Sequence, residues 1–205
     1  MDCSPEIAYI IGLIATDGYL SKDGRHIEFT SKDLELIEKF KKILKLKNKI
    51  SIKSDGKTKN TYYRIQFGNV KFYKYLNGIG ITNNKSKTID KVIIPQEYFY
   101  DFLRGHFDGD GSFYSYFDKR WKNSFMFYIS FHSASKNHLE WIRKEIHSRI
   151  MIKGSLTKGN REYSLRFAKK ETLKLFYEMY YDSNIFFLER KYNKIRNAIM
   201  LFKGE

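Results

Sequence analysis

The 205-residue sequence predicts an α+β protein built from two pseudo-symmetric repeats, each running helix, two strands, helix, two strands, helix. Three observations carry this reading. The segment Ile10–Gly18 recurs in outline as Leu103–Gly111, with the Asp-Gly that closes it displaced by 93 residues. Each copy is preceded by helix-start residues. Each is followed by the same succession of amphipathic stretch and alternating strands. The repeats are expected at residues 1–94 and 95–205, with antiparallel sheets carrying helices on one face.

The elements follow in order. Ser4-Pro5-Glu6 offers an N-capping hydroxyl, a proline at the first helical position and an acid in the first turn. Pro95-Gln96-Glu97 offers the same proline and acid before the second copy. Ala8, Gly12 and Thr16 form a small-residue stripe on one helix face, and Gly105 and Gly109 repeat that spacing, so two helix backbones are expected to pack closely. Gly18 and Gly111 are read as left-handed helix caps. Phe29–Leu34 leads into an amphipathic stretch from Leu34 to Leu46, and Phe131–Lys136 leads into another from Leu139 to Ile150. In the strands that follow, Tyr63, Ile65 and Phe67 face one side while Arg64 and Gln66 face the other. Tyr163, Leu165 and Phe167 likewise oppose Ser164 and Arg166, the period-two pattern of half-buried strands. Asp55-Gly56 and Lys158-Gly159-Asn160 mark the preceding hairpin turns. Further helix is expected around Lys71–Leu76 and Lys170–Tyr181. Phe125, Phe127, Ile129 and Phe131 read as core.

Charge narrows the function. Lys and Arg number 38 against 23 Asp and Glu, a net of +15. Residues 1–94 hold 18 basic and 10 acidic side chains, and residues 95–205 hold 20 and 13, so neither half is a basic tail. An excess spread this evenly fits a continuous surface that meets a polyanion. The single cysteine, Cys3, excludes an internal disulfide and a cysteine-based zinc site and is compatible with a reducing compartment. No apolar run is long enough to span a membrane, and the acidic start lacks the basic segment of a secretory signal. A cytoplasmic or organellar protein is expected, not a secreted one.

The acids at the helix ends need an explanation that packing does not supply. Asp17 and Asp110 each close a helix, where the partial negative charge of the helix C-terminus disfavours a carboxylate by about 0.3–1 kcal/mol. If the two helices lie side by side, the acids also repel each other. A divalent cation reverses both penalties. Two carboxylates with open positions suit Mg²⁺, which keeps waters and phosphate oxygens as further ligands.

The two nine-residue segments resemble the signature of the LAGLIDADG homing endonucleases. Leu103–Gly111 matches it at the first, third, sixth, eighth and ninth positions, and Ile10–Gly18 at the third, fourth, fifth, eighth and ninth. The resemblance spans nearly the whole chain and is to the monomeric form with two motifs. It implies a saddle of two four-stranded antiparallel sheets astride a long asymmetric DNA site, and cleavage of both strands leaving short 3′ overhangs. It places the metal on Asp17 and Asp110, with the seventh-position Thr16 and Gly109 as further metal-site residues. Asp108 keeps the family's sixth position and Ala15 departs from it, a mild departure because that position is usually not the ligand. Basic or polar residues near the metal are expected among Glu28, Lys32, His132 and Lys136. Lys85 and Lys191, in the late basic segments, are candidate catalytic residues.

The polar strand face reads either as a solvated surface or as a platform for the major groove, where Arg recognises guanine and Gln recognises adenine. Its candidates are Ser51, Lys53, Arg64, Gln66, Tyr114, Tyr128, Ser130, His132, Lys153, Ser164 and Arg166. His26, His106, His138 and His147 read as surface or satisfied side chains. The function expected is a double-strand DNA endonuclease. A non-cutting nucleic-acid-binding protein of the same fold, an intron maturase or transcription regulator, is the alternative. The host element (intron, intein or free-standing gene) is left open.

Overall fold

The computed structural model describes residues 2–54, 61–121 and 124–204. The first repeat runs α1 (Pro5–Asp17), β1 (Gly18–Leu20), β2 (His26–Ser31), α2 (Leu34–Ile43), β3 (Ser51–Ser54), β4 (Thr61–Gly68) and α3 (Val70–Gly78). The second runs α4 (Phe99–Asp110), β5 (Ser112–Phe117), β6 (Phe125–Ser133), α5 (Lys136–Ile150), β7 (Ser155–Lys158), β8 (Tyr163–Ala168) and α6 (Lys169–Met179). The strands form two four-stranded antiparallel sheets, ordered β1-β2-β4-β3 and β5-β6-β8-β7. The two orders are the same topology written twice.

The period-two alternation decides which face is covered. Ile27, Phe29, Ile65 and Phe67 of the first sheet are buried, as are Phe127, Ile129, Phe131, Leu165 and Phe167 of the second. The opposite faces carry the polar set. The turn expected at Lys158–Asn160 forms, with the Gly159 amide donating to the Glu162 carbonyl at 2.8 Å. The turn expected at Asp55-Gly56 lies outside the described residues.

The helix pair α1 and α4 runs through the middle of the core. Ser4 caps α1 by accepting from the Ile7 amide at 3.3 Å. A side chain at Gly12 would sit 2.6 Å from the His106 amide nitrogen, and one at Gly105 would overlap the Tyr9 carbonyl. The glycines therefore set how closely the two backbones approach.

Gly18 and Gly111 correct the sequence reading. Their φ,ψ values are −80°,149° and −71°,154°, extended and not left-handed. At both positions the chain leaves its helix directly into a strand or its approach. Glycine is needed there for room, because a Cβ at Gly18 would lie 2.6 Å from Ile14 Cγ2 and one at Gly111 would run into Phe107.

The structure adds one helix to those the sequence predicts. α7 (Glu189–Lys203) follows the second repeat and buries Lys191, Ile195, Ala198 and Ile199. Its many basic residues disguise it as a charged segment, although the apolar ones recur three and four apart.

Candidate active site

Asp17 and Asp110 end α1 and α4, the two helices whose close packing brings them together. Burial raises both carboxyls above the ordinary carboxylate range. Asp17 is pushed up to about 7, first by burial and then by the charge of Asp110, while Lys191 and Lys85 pull the other way. Burial is also the main cause for Asp110, again opposed by Lys191. Among the described residues, no group of three or more His, Cys, Asp or Glu side chains could form a closed metal cage. A desolvated pair of carboxylates fits a hard cation that keeps waters and phosphate oxygens in its remaining positions.

Lys85 and Lys191 lie at this centre but turn toward the backbone. The Lys191 ammonium donates to the carbonyls of Phe107 (2.6 Å), Asp108 (2.9 Å), Gly109 (3.2 Å) and Gly111 (2.7 Å), the C-terminal end of α4. Lys85 donates to the carbonyls of Thr16, at 3.3 Å, and of Gly18 at the end of α1. Both amines are brought down to about 8 by burial, with the nearby acids opposing. Both ammonium groups cap helix ends, beside the acids. Each supplies positive charge to orphan carbonyls where the helix dipole is negative. Thr16 and Gly109 sit beside the acids, with their carbonyls already accepting from these lysines.

Asp108 faces away from the pair. It is fully buried and accepts from Tyr9 Oη at 2.9 Å and the Leu188 amide at 2.8 Å, joining α1, α4 and the entry to α7. Ala15 needs no such role.

The strand register settles which residues correspond. Gly18 pairs with Phe29, and the β5–β6 register places Gly111 opposite Phe131. Thr30 therefore corresponds to His132, Glu28 to Ser130, and Lys32 to Ala134. Glu28 and His132, both expected near the metal, are thus not equivalent positions; the hairpin loops before β2 and β6 differ in length, so the motif spacing does not carry over to the strands. Glu28 lies on the sheet face, 3.6 Å from Arg64. Lys136 lies outside the centre, paired with Glu140 on α5 at 3.1 Å.

Two cavities flank the acids. One, of about 200 Å³, is lined by Thr16, Ser86, His106, Asp110, His132, Arg161 and Glu162. The other, of about 310 Å³, is lined by Asp17, Thr30, Lys32, Asp33, Tyr62, Gly109, Asp110 and Arg190. They are related by the repeat but chemically unequal. In the first, His132 Nε2 lies 3.0 Å from Ser112 Oγ, and its Nδ1 lies 3.2 Å from Glu162. In the second, Arg190 is held by Asp33 through two 2.6 Å bonds, and Lys32 lies over the Tyr62 ring. Sequence reasoning missed Arg190, Arg161 and Glu162. Only the position of Arg190 beside Lys191 could have flagged it.

His106 and His138 also correct the reading. They are stacked and buried, with centroids 5.2 Å apart, and His106 Nδ1 and His138 Nε2 have no hydrogen-bond partner among the described residues. His138 Nδ1 lies 2.6 Å from the Asp90 carbonyl.

Of the sheet-face candidates, register places Ser51, Lys53, Arg64 and Gln66 on the polar face of the first sheet. It places Tyr114, Tyr128, Ser130, His132, Ser164 and Arg166 on that of the second. Lys153 is the exception. It sits in the loop before β7, where its carbonyl accepts from Arg143 of α5 at 2.8 Å. A left-handed Met151 ends α5 and turns the chain before it reaches the sheet.

The comparisons agree with this geometry. A family model described as the LAGLIDADG-like domain matches residues 4–80 and again 99–180. Comparison with curated protein sequences returns no match. Among solved structures, the homing endonuclease I-WcaI bound to its DNA recognition sequence is similar with a TM-score of 0.66 at 18% identity, covering 93% of this chain and 85% of that one. The I-LtrWI LAGLIDADG homing endonuclease bound to target DNA is similar with a TM-score of 0.62 at 12% identity, covering 97% and 91%. Full-length DUF199/WhiA from Thermatoga maritima is similar with a TM-score of 0.60 at 17% identity. The match covers 98% of this chain and 62% of the other, so this chain spans less than two thirds of that protein. These likenesses establish the fold, and the family model covers both repeats: the chain belongs to the LAGLIDADG-like domain family.

Proposed function

We propose that this protein is a divalent-metal-dependent, site-specific endonuclease that hydrolyses both strands of duplex DNA, leaving short 3′ overhangs. One observation carries the reading. Two desolvated, mutually repelling carboxylates close a tightly packed helix pair, between two sheets whose polar faces hold Arg64, Gln66 and Arg166. A stable fold gains nothing from such a pair, whereas a cation and a phosphate satisfy it. Bound Mg²⁺ supplies Lewis-acid stabilisation of the charge that develops on the phosphate.

The chain's own residues do the rest. Asp17 and Asp110 hold the cation. Lys85 and Lys191 fix the helix ends on which the acids stand. Arg190 in one cavity and Arg161 in the other supply guanidinium groups beside Asp110 for phosphate oxygens. The partner is a long asymmetric duplex read by a single chain, in keeping with the similar endonucleases that are bound to their DNA targets.

The test is a supercoiled plasmid carrying the uninterrupted form of the locus around the protein's gene. Mg²⁺ or Mn²⁺ should yield linear product, and Ca²⁺ only a complex. Asp17→Asn and Asp110→Asn should retain binding and lose double-strand cutting. Cutting at the wild-type rate by either variant overturns the role of that acid. The second reading is a non-cutting DNA-binding protein. It is favoured by the engagement of both lysines with backbone carbonyls, and its signature is tight specific binding with no product in any metal.

A further inference from the structure

The two polar sheet faces are chemically different. On the second sheet, Tyr114, Tyr116 and Tyr128 stand together on the face away from the core. Tyr114 and Tyr128 are cross-strand partners with ring centroids 4.9 Å apart and planes within 16°. That spacing matches the roughly 4.8 Å between neighbouring strands. The rings therefore stand upright on the sheet, face to face, and present their edges outward. Tyr116 continues the row at 6.3 Å from each, with Met126 directly across from it. At the end of this strip nearer Asp110, Arg166 lies over Tyr114 and Tyr128, 5.5 and 5.7 Å from their centroids. No carboxylate among the described residues pairs with Arg166.

Among the described residues the first sheet has no such strip. By register, the positions matching Tyr128 and Ala168 are His26 and Gly68, and those matching Ser130 and Arg166 are Glu28 and Gln66. Arg64 there is held by the Ser51 hydroxyl at 3.1 Å and lies 3.6 Å from Glu28. That face offers donors and a carboxylate acceptor; its rings, Tyr19 opposite Glu28 and Tyr62 opposite Lys53 beneath the Lys32 ammonium, are not stacked on one another.

We propose that the two halves read chemically distinct half-sites: the second sheet selects thymine methyl groups outward of a guanine, and the first, without a stacked tyrosine row, selects bases chiefly by polar contacts. The assignment rests on the reading above, that the sheets meet the major groove of duplex DNA. In that groove the thymine methyl is the apolar feature, guanine presents two acceptors to an arginine fork, and cytosine presents a donor to a carboxylate. The row of tyrosine edges and Met126 fits the methyl groups. Arg166, braced on two rings with its charge unpaired, fits guanine nearer the centre. Rows on one strand face lie about 6.6 Å apart, close to the rise of two base pairs, so the guanine and the thymines should be near neighbours.

The experiment uses the full chain with Ca²⁺ and a duplex library randomised over about 20 base pairs. Bound duplexes are sequenced and the best is remade with deoxyuridine replacing thymidine on one side at a time. A thymine run beside a guanine should emerge on one side only. Uracil there should weaken binding about fourfold per lost methyl, the effect of one buried methylene-sized group. Tyr114→Ser with Tyr128→Ser should erase the thymine preference and leave the other half-site unchanged. Tyr114→Phe with Tyr128→Phe keeps the apolar edges and should preserve it, which separates recognition from a folding defect. A selected site with no thymine run, or full binding to the uracil duplex, overturns the assignment while DNA recognition stands. Enrichment of no duplex at all overturns the DNA-binding reading itself, and the assignment with it.

Discussion

Lys191 places one ammonium among four carbonyl oxygens at the end of α4, and this single side chain explains how a helix can end in a buried carboxylate. The lysine offsets the helix-end field, and Asp17 and Asp110 still repel. Removing one charge should therefore stabilise the metal-free protein. Asp17→Asn in EDTA at pH 8 should be more stable than the wild type by about 2 kcal/mol, and Mg²⁺ should raise the melting temperature of the wild type but not of the variant. Calorimetry with and without Mg²⁺ reads both, and a variant that gains as much as the wild type from Mg²⁺ contradicts the assignment. His138 makes a second residue-scale prediction. Burial lowers its ring to about 4 from an ordinary 6.5, so the unfolded chain binds the proton first. Its contribution is complete above pH 6.5 and is lost as pH falls toward 4. Asp17 and Asp108, raised to about 7 and about 6, titrate with the opposite sign. The clean quantity is therefore the stability difference between wild type and His138→Gln. That difference should shrink by about 2–3 kcal/mol between pH 7.5 and 4.5 in urea denaturation. A difference independent of pH would show that the ring is not buried neutral.

At the scale of elements, the α1–α4 contact is where sequence and packing meet most tightly. Gly105 has the Tyr9 carbonyl where a Cβ would go. Gly105→Ala should cost about 3 kcal/mol or more, since a backbone oxygen cannot swing aside as a side-chain tip can. Gly78, the last residue of α3, has an ordinary φ, and a Cβ added there would meet nothing within 4 Å. Gly78→Ala should be neutral or stabilise by about 0.5–1 kcal/mol. Chemical denaturation of the two variants should move in opposite directions. Arg104 shows what a short motif conceals. It is buried against Asp101 at 2.6 Å and donates to the carbonyls of Phe186 and Met179, so the motif's second position anchors the segment that leads into α7.

On the scale of the whole molecule, the repeats are bound into one body. α1 and α4 share a core, and the entry to α7 crosses to the first repeat, where Arg190 meets Asp33 and Lys39 donates to the Phe187 carbonyl at 2.5 Å. Unfolding should therefore be a single cooperative step. Both tryptophans, Trp121 and Trp141, lie in the second repeat, so fluorescence reports that half while far-ultraviolet circular dichroism reports both. The two urea transitions should coincide, and an earlier fluorescence transition would mean that the second repeat unfolds by itself. No described helix is long and apolar enough to cross a membrane.

Much of this was legible from one chain. The internal repeat, the alternating strands and the Asp-Gly helix ends are local patterns, set by the 3.6- and 2-residue periods of backbone geometry. They determined the family, the two sheets and the acids that α1 and α4 bring together. The rest depended on distance across the fold. Which residues of the two repeats correspond was decided by strand register, because unequal loops defeat counting along the chain. That Lys85 and Lys191 donate to carbonyls beside the acids was decided by where the helix ends lie once packed. Lys153 left the sheet because α5 ends in a left-handed turn, and Arg190 joined the second cavity only because α7 folds back across the repeats. Sequence alone determined what each segment is. Tertiary structure decided what each side chain faces, since a side chain's partners come from elements that the chain's own periodicity does not encode.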